Sequence, residues 1–104
     1  MTPQIYRVDL SKRAIANLKA ISEYIAKDSP EAASAFIARL NDAVNSLEHL
    51  PHRHQLAQDL LPRRKNVRMF PVGSYLIYYN VRDREKVVNV ITIRHGARRR
   101  LRSL

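Results

Sequence analysis

The amino-acid sequence predicts an α+β fold of order β-α-α-β-β-β, in which an antiparallel helical hairpin packs on one face of a mainly antiparallel four-stranded sheet. Two apolar runs rich in β-branched and aromatic residues, 74–81 and 87–93, flank the polar residues 82–85 and predict a β-hairpin. Apolar residues at helical spacing over 12–27 and 31–50 predict the two helices. Because both strands are apolar at odd and even positions, the rest of the chain must cover at least one face of the hairpin.

The first strand and the first helix follow each other directly. Residues 5–10 alternate between apolar and polar side chains, which predicts a half-exposed strand. Ser11 then stands at the N-cap position of a helix expected over residues 12–27. A narrow apolar stripe marks its inner face: Ala14, Leu18, Ile21 and Ile25. Ile15 and Tyr24 lie off this stripe, so we expect them to serve a partner.

The second helix has a clear start signal. Ser29 is the expected N-cap, Pro30 occupies the first helical position, and Glu31 favours the positive helix end. We expect the helix to continue until Leu50 and Pro51 end it. The short link makes the two helices antiparallel neighbours.

The remaining chain predicts a loop followed by three strands. Residues 51–66 indicate a loop with one short helical turn, and residues 67–70 a short strand stopped by Pro71. Gly73 allows the turn into the long strand. The last three strands form a meander, and the first strand joins the same sheet beside one of them.

Three histidines, His49, His52 and His54, lie close together in sequence. Their spacing matches no established pattern of metal ligands, and no thiolate accompanies them. We interpret them as surface histidines at a helix end and expect no metal and no cofactor.

Length and composition predict a single domain over residues 1–104. There is no cysteine, which excludes a disulfide framework. The first residues lack the basic start and apolar core of a signal peptide, and no apolar run approaches the ~18 residues of a membrane span. We therefore expect a cytoplasmic protein without membrane association.

The net charge of +10 lies entirely in the second part of the chain. Residues 1–62 hold seven basic and seven acidic side chains, whereas residues 63–104 hold twelve basic and two acidic ones. Most of the excess is arginine, whose planar fork suits phosphate or carboxylate. The asymmetry favours an acidic partner, either nucleic acid or a protein surface, over a basic surface that only confers solubility.

A series of short motifs, in order over nearly the whole chain, resembles the ParE branch of the RelE/ParE toxin superfamily. These motifs are Leu10-Ser11-Lys12-Arg13-Ala14, Ile21-Ser22-Glu23-Tyr24-Ile25, Ser29-Pro30-Glu31-Ala32-Ala33, Phe36-Ile37, Leu50-Pro51, Val67-Arg68, Val72-Gly73-Ser74-Tyr75-Leu76-Ile77-Tyr78-Tyr79 and His95-Gly96-Ala97-Arg98. The fold that the resemblance implies is the β-α-α-β-β-β order inferred above.

The resemblance implies the toxin of a bacterial type II toxin-antitoxin pair, neutralised by a cognate antitoxin that is ParD-like or similar. In ParE relatives the target is DNA gyrase, whose poisoning stalls replication. In RelE relatives the toxin cuts messenger RNA in the ribosomal A site. Because the two branches share a fold, the choice between them depends on site residues.

RNA cleavage by 2′-hydroxyl attack needs a proton acceptor, a proton donor and cations that stabilise the developing charge. The resemblance places Arg68 and Arg98 at two basic positions of the RelE pattern. Asn66 and Tyr75 stand where that pattern has basic residues, and the tail 99–104 lacks the expected Tyr or His. This favours a binding protein over an enzyme.

His95 is the only candidate proton carrier near Arg98. Its structural interpretation is an imidazole that orients the strand end, which we favour over catalysis. We thus expect no catalytic residues; if the protein is a ribonuclease, the set is Arg68, His95 and Arg98.

We expect a basic edge to bind an acidic or DNA-bound surface of gyrase: Arg68, Arg94, His95, Arg98, Arg99, Arg100 and Arg102. The alternative for the last three is a solvated tail. Apolar and acidic segments of the antitoxin would contact Ile15, Tyr24, Arg68, Tyr75 and Arg98. Direct nucleic-acid binding stays open, although no helix-turn-helix, zinc or RNA-stacking motif is present.

Overall fold

The computed structural model describes residues 5–61 and 63–96 and has the predicted order of elements. The helices and strands are β1 Arg7–Leu10, α1 Lys12–Ala26, α2 Pro30–Ser46, β2 Val67–Val72, β3 Tyr75–Arg82 and β4 Val87–His95. Two short 3-10 turns, Pro51–Arg53 and Gln58–Leu60, lie between α2 and β2.

The four strands form one sheet in the order β1-β4-β3-β2. β3 is antiparallel to both of its neighbours. β1 lies parallel to β4, with Arg7 opposite Val87 and Leu10 opposite Val90. This confirms a mainly antiparallel sheet, and the partner of β1, which the sequence left open, is the last strand.

Both predicted helix starts are confirmed by side-chain capping. The Ser11 hydroxyl accepts a hydrogen bond from the backbone N–H of Ala14 at 3.0 Å. The Ser29 hydroxyl accepts one from Ala32 at 3.1 Å, directly before Pro30. Each cap satisfies a backbone donor that the first helical turn leaves unpaired.

The end of α2 differs from the prediction, because the helix stops at Ser46 instead of reaching Leu50. Leu50 has a φ of +46°, a left-handed conformation that no helix can continue through. The Arg53 guanidinium donates to the backbone carbonyls of Ser46, His49 and Leu50. A cation placed on the last carbonyls stabilises a helix end, so a residue beyond the helix fixes where it stops.

The prediction that Pro71 stops β2 is wrong, since the strand continues to Val72. β2 is an edge strand, and the backbone N–H of Met69 points outward to the carbonyl of Gln55. Successive N–H groups of a strand point to opposite sides, so the nitrogen of Pro71, two residues after Met69, also points away from β3. Its missing donor therefore costs no ladder hydrogen bond.

Buried side chains form clusters on both faces of the sheet. The cluster between sheet and helices includes Ala14, Leu40, Val44, Leu47, Ile77, Tyr79, Val88 and Val90. The other face buries Val67, Leu76 and Tyr78 under Ala57 and Leu60, which are at most 1% exposed. The sequence predicted the helical layer but treated Ala57 and Leu60 as part of a loop.

Residues 51–61, called the cover segment below, follow the outer edge of β2 before they pass under the second face. The Ala57 N–H donates to the Val67 carbonyl at 2.8 Å, and the Met69 N–H donates to Gln55 at 3.0 Å. These bonds satisfy part of the edge that β2 would otherwise present to other chains. Within the described residues, neither helix has the length and apolar content needed to cross a bilayer.

Candidate binding site at the strand ends

Three strand ends meet where β4 finishes. Tyr75, the first residue of β3, lies opposite both Val72 of β2 and His95 of β4. The Gly96 N–H then donates to the Ser74 carbonyl at 2.6 Å, which extends the pairing one residue beyond β4. Gly96, the last described residue, therefore lies at this end of the sheet.

A row of aromatic rings crosses the strand ends from α2 to β4. The Tyr75 ring lies 5.3 Å from the Phe36 ring of α2 and 5.0 Å from the His95 ring, measured between centroids. The Tyr75–His95 contact is edge-on, with an interplanar angle of 80°. Such geometry is favourable for π systems and orients the imidazole. This contact supports the structural interpretation of His95.

Arg39 of α2 reaches the β2–β3 turn beside this row of rings. Gly73 has a φ of +57°, as the turn prediction required. A Cβ on Gly73 would lie 3.3 Å from Phe36 Cε1 and 3.4 Å from Arg39 Nη1. The Arg39 guanidinium thus lies against the bare backbone of the turn.

Arg39 was missed by the sequence reasoning. The available signal was its position three residues after Phe36, which puts both side chains on the same side of α2. Without knowing that this side of α2 ends above the β2–β3 turn, nothing in the sequence connects Arg39 to Gly73.

Arg94 and His95 project to opposite faces of the sheet, because successive side chains of a strand alternate. His95 shares the face of Tyr75, toward the helices, whereas Arg94 lies opposite Leu76 on the second face. In the part of the chain that the structure describes, neither Arg39 nor Arg94 is paired with a carboxylate. We call Arg39, Gly73, Tyr75, Arg94 and His95 the strand-end surface.

The structure does not bring Arg68 to this surface. Arg68 lies opposite Tyr79, four residues along β3 from Tyr75, which is roughly 13 Å at the usual strand rise. Its Nη1 donates to the backbone carbonyls of His52 at 3.2 Å and His54 at 2.8 Å. These bonds favour a structural role, in which Arg68 holds the cover segment against β2.

The arginines of the predicted tail, Arg98, Arg99, Arg100 and Arg102, lie outside the described residues. The three residues proposed for a ribonuclease, Arg68, His95 and Arg98, are thus not observed together. Arg68 and His95 stand on strands that are not neighbours. Their assignment to one catalytic set stays a prediction.

A second polar cluster occupies the opposite end of the sheet. The Tyr6 hydroxyl donates to Asp83 Oδ1 at 2.9 Å, and His52 Nε2 lies 2.9 Å from the same oxygen. The bond from Tyr6, followed by the bond and charge of His52, holds the pKa of Asp83 below its usual value. The same bond raises the pKa of Tyr6. This cluster joins the residue before β1, the cover segment and the β3–β4 turn.

His54 corrects the prediction of three surface histidines. Its ring stacks on Phe70 at 3.8 Å between centroids, and its Nε2 is buried without a hydrogen-bond partner among the described residues. Burial, and secondly the charge of Arg53, lower the pKa of His54. His52 is paired as described above, and His49 is exposed. The described residues contain no group of three side chains arranged for a metal ion.

The neighbouring Tyr79 shows how the cover segment is attached to the core. Its hydroxyl donates to the Pro51 carbonyl at 2.6 Å in a buried position. Burial raises the pKa of Tyr79 to about 12, against smaller opposing effects of nearby arginines. The neutral hydroxyl therefore persists as a donor throughout the physiological range.

Ile15 and Tyr24 are 57% and 62% exposed, as their positions off the apolar stripe predicted. Nine residues separate them, which places them on opposite flanks of α1. Asn17 accepts hydrogen bonds from Thr92 and Ile93 of β4. Tyr24 follows Asn17 by two helical turns on the same flank. Ile15 belongs to the other flank, and the two do not form one patch.

Comparison with known proteins gives consistent results. The family model described as "ParE toxin of type II toxin-antitoxin system, parDE" matches residues 8–100. The chain is 40% identical to Toxin RelE2 of Caulobacter vibrioides over 86 residues, 83% of this chain and 90% of that protein.

Solved structures show the same fold. The chromosomal ParDE toxin-antitoxin system from P. aeruginosa contains a chain similar to this one with a TM-score of 0.72 and 18% identity, covering 88% of this chain and 97% of that one. A chain in the RelBE2 toxin-antitoxin complex from Mycobacterium tuberculosis is similar with a TM-score of 0.59 and 19% identity, covering 88% and 98%.

Proposed function

We propose that this chain, which belongs to the ParE family of type II toxin-antitoxin toxins, poisons DNA gyrase and thereby blocks replication. It acts by binding rather than by cleaving a substrate. The binding surface combines the described residues Arg94 and His95 with the arginines of the tail, Arg98, Arg99, Arg100 and Arg102.

The observation that carries this proposal is the distribution of paired and unpaired cations. All of the net charge lies in residues 63–104. Arg94 has no acidic partner among the described residues, whereas Arg68 donates to two backbone carbonyls. Since an unpaired arginine can bind an anionic partner without first losing an internal contact, Arg94 is a stronger candidate for target binding than Arg68.

Ribosome-dependent cleavage of messenger RNA is the second candidate. The name of the relative from Caulobacter vibrioides, Toxin RelE2, favours it. The separation of Arg68 from His95, and the absence of Tyr and His from residues 99–104, weigh against it. An acid-base mechanism needs its groups within hydrogen-bond reach of one bound substrate.

The chain is a toxin whose partner is a cognate antitoxin, as in the ParDE and RelBE2 systems that share its fold. We propose that the antitoxin contacts the toxin at several places. The candidates are Ile15 and Tyr24 on opposite flanks of α1, Tyr75 at the strand ends, and Arg98. Arg68 stays in the predicted set, although its two backbone contacts favour a structural role.

The deciding experiment measures gyrase supercoiling of plasmid DNA beside ribosome-dependent cleavage of messenger RNA. Purified toxin is added to both assays, with and without the antitoxin. The proposal predicts inhibition or trapped cleavage complexes with intact RNA, both reversed by the antitoxin. Cut messenger RNA with unaffected gyrase would replace the proposal with the ribonuclease, and His95→Ala would then abolish cleavage.

A further inference from the structure

Arg39 is exposed on α2 and is turned toward the β2–β3 turn. Asp42, three residues later on α2, is at a spacing that commonly forms helix ion pairs. Arg39 forms no such pair, and its Nη1 lies instead 3.4 Å from the position of a Cβ on Gly73. The guanidinium therefore stands beside a side-chain-free stretch of backbone.

A carboxylate bound to Arg39 would also find polar and apolar groups close by. Ser74, the exposed second residue of the turn, places a hydroxyl next to Gly73. The half-buried rings of Phe36 and Tyr75 form an apolar floor, 5.3 Å apart between centroids. A planar guanidinium beside an aromatic floor suits an acidic side chain followed by an apolar one.

The arrangement of cations indicates the class of partner. Arg39 lies on the helix side of the strand ends, and Arg94 lies on the opposite face of the sheet. The phosphates of a nucleic-acid backbone follow one continuous track, which suits a row of cations on one face. A flexible peptide that passes around the strand ends meets cations on both faces.

We propose that the turn formed by Gly73 and Ser74, together with Arg39 and the rings of Phe36 and Tyr75, binds an acidic segment of the antitoxin. This inference rests on the proposed function, because it assigns the antitoxin to the part of the strand-end surface that lies on the helix side of the sheet. A peptide bound here lies beside Tyr75 and His95, so it neutralises the toxin by covering part of the surface proposed for the target.

The test is the affinity of Arg39→Glu for the full-length antitoxin encoded beside this toxin, measured by titration calorimetry with the full-length toxin. We expect Arg39→Glu to weaken binding roughly tenfold or more, and Arg39→Lys by a smaller factor, since a lysine keeps the charge and loses the planar fork. The salt dependence of the affinity, followed from about 0.05 to 0.5 M, should become weaker in Arg39→Glu.

The matched control is Arg84→Glu, which reverses an exposed arginine in the β3–β4 turn, at the opposite end of the sheet. This control should stay within about twofold of the wild type, as expected for a charge outside the interface. Equal affinities of Arg39→Glu and Arg84→Glu would overturn the proposal. Unfolding temperatures of both variants show whether either change disturbs the fold.

A growth assay separates this inference from the proposed target. Arg39→Glu should still arrest growth when expressed alone, and co-expressed antitoxin should rescue it poorly. Loss of toxicity with unchanged antitoxin affinity would assign Arg39 to target binding and refute the antitoxin site. If gyrase proved not to be the target, the calorimetric result would still stand, because it involves only the two partner proteins.

Discussion

Arg68, near one end of the sheet, and Arg94, at the other end, make different contacts. At the end where β3 turns into β4, His52 is paired with Asp83, and in the adjoining part of β2 Arg68 is bonded to two carbonyls of the cover segment. At the strand-end surface, Arg39 and Arg94 have no acidic partner among the described residues. The contrast teaches that the contacts an arginine already makes separate a structural role, as for Arg68, from availability to a partner, as for Arg39 and Arg94.

The largest effect on stability should come from the cover segment, to which Arg68 is hydrogen-bonded. Leu60 is 1% exposed and packs against the second face of the sheet. Leu60→Ala should lower the free energy of unfolding by about 2–4 kcal/mol, through lost burial and the cavity left behind. Leu50→Ala, the same change at a residue 75% exposed, is the control and should cost under about 0.5 kcal/mol. Equal costs in urea denaturation would show that the segment is not part of the core.

A pair of arginine substitutions tests the comparison itself. Arg68→Ala should lower the free energy of unfolding by about 1–2 kcal/mol, because two carbonyls lose a charged donor. Arg94→Ala should change stability by under about 0.5 kcal/mol and weaken toxicity. Chemical denaturation and growth arrest are measured on both variants. A stable Arg68→Ala beside a destabilised Arg94→Ala would reverse the roles assigned to the two arginines.

The smallest effect is a pH dependence of stability. The pKa of His54 is lowered from its ordinary 6.5, so the unfolded chain binds the proton more readily than the folded one. The contribution of the neutral ring is therefore complete above pH 6.5 and is lost as the pH falls through the lowered folded-state value. His54→Phe keeps a stacking ring and should flatten the decline in urea midpoint just below pH 6.5. The exposed His49→Gln is the control, and an unchanged slope in His54→Phe would contradict this assignment.

Local signals in the sequence predicted most of the framework. Ser11 and Ser29 cap their helices through contacts within three residues, and Gly73 makes its turn through its own backbone. These features depend on neighbours in the chain, so composition and spacing are enough to find them. The β3–β4 hairpin is predictable for the same reason.

The features that the sequence did not predict depend on contacts between distant segments. α2 ends early where Arg53 reaches back to its carbonyls, and Pro71 stays in β2 because that strand lies at the sheet edge. In the candidate site, the sequence predicted Tyr75 and His95 as binding residues but not their contact with each other. It did not predict Arg39, because that requires knowing that α2 lies above Gly73. The helix and strand propensities of single residues carry no information about where one element lies relative to another.

The most direct test of the central claim is gyrase inhibition by the triple variant Arg98→Ala, Arg99→Ala, Arg100→Ala. Its matched control is Arg13→Ala, Arg82→Ala, Arg84→Ala, which removes the same charge from exposed sites elsewhere. The account predicts that the first variant folds and loses inhibition, while the control keeps it. Full inhibition by the tail variant, or equal losses in both, would contradict a binding surface at the strand ends.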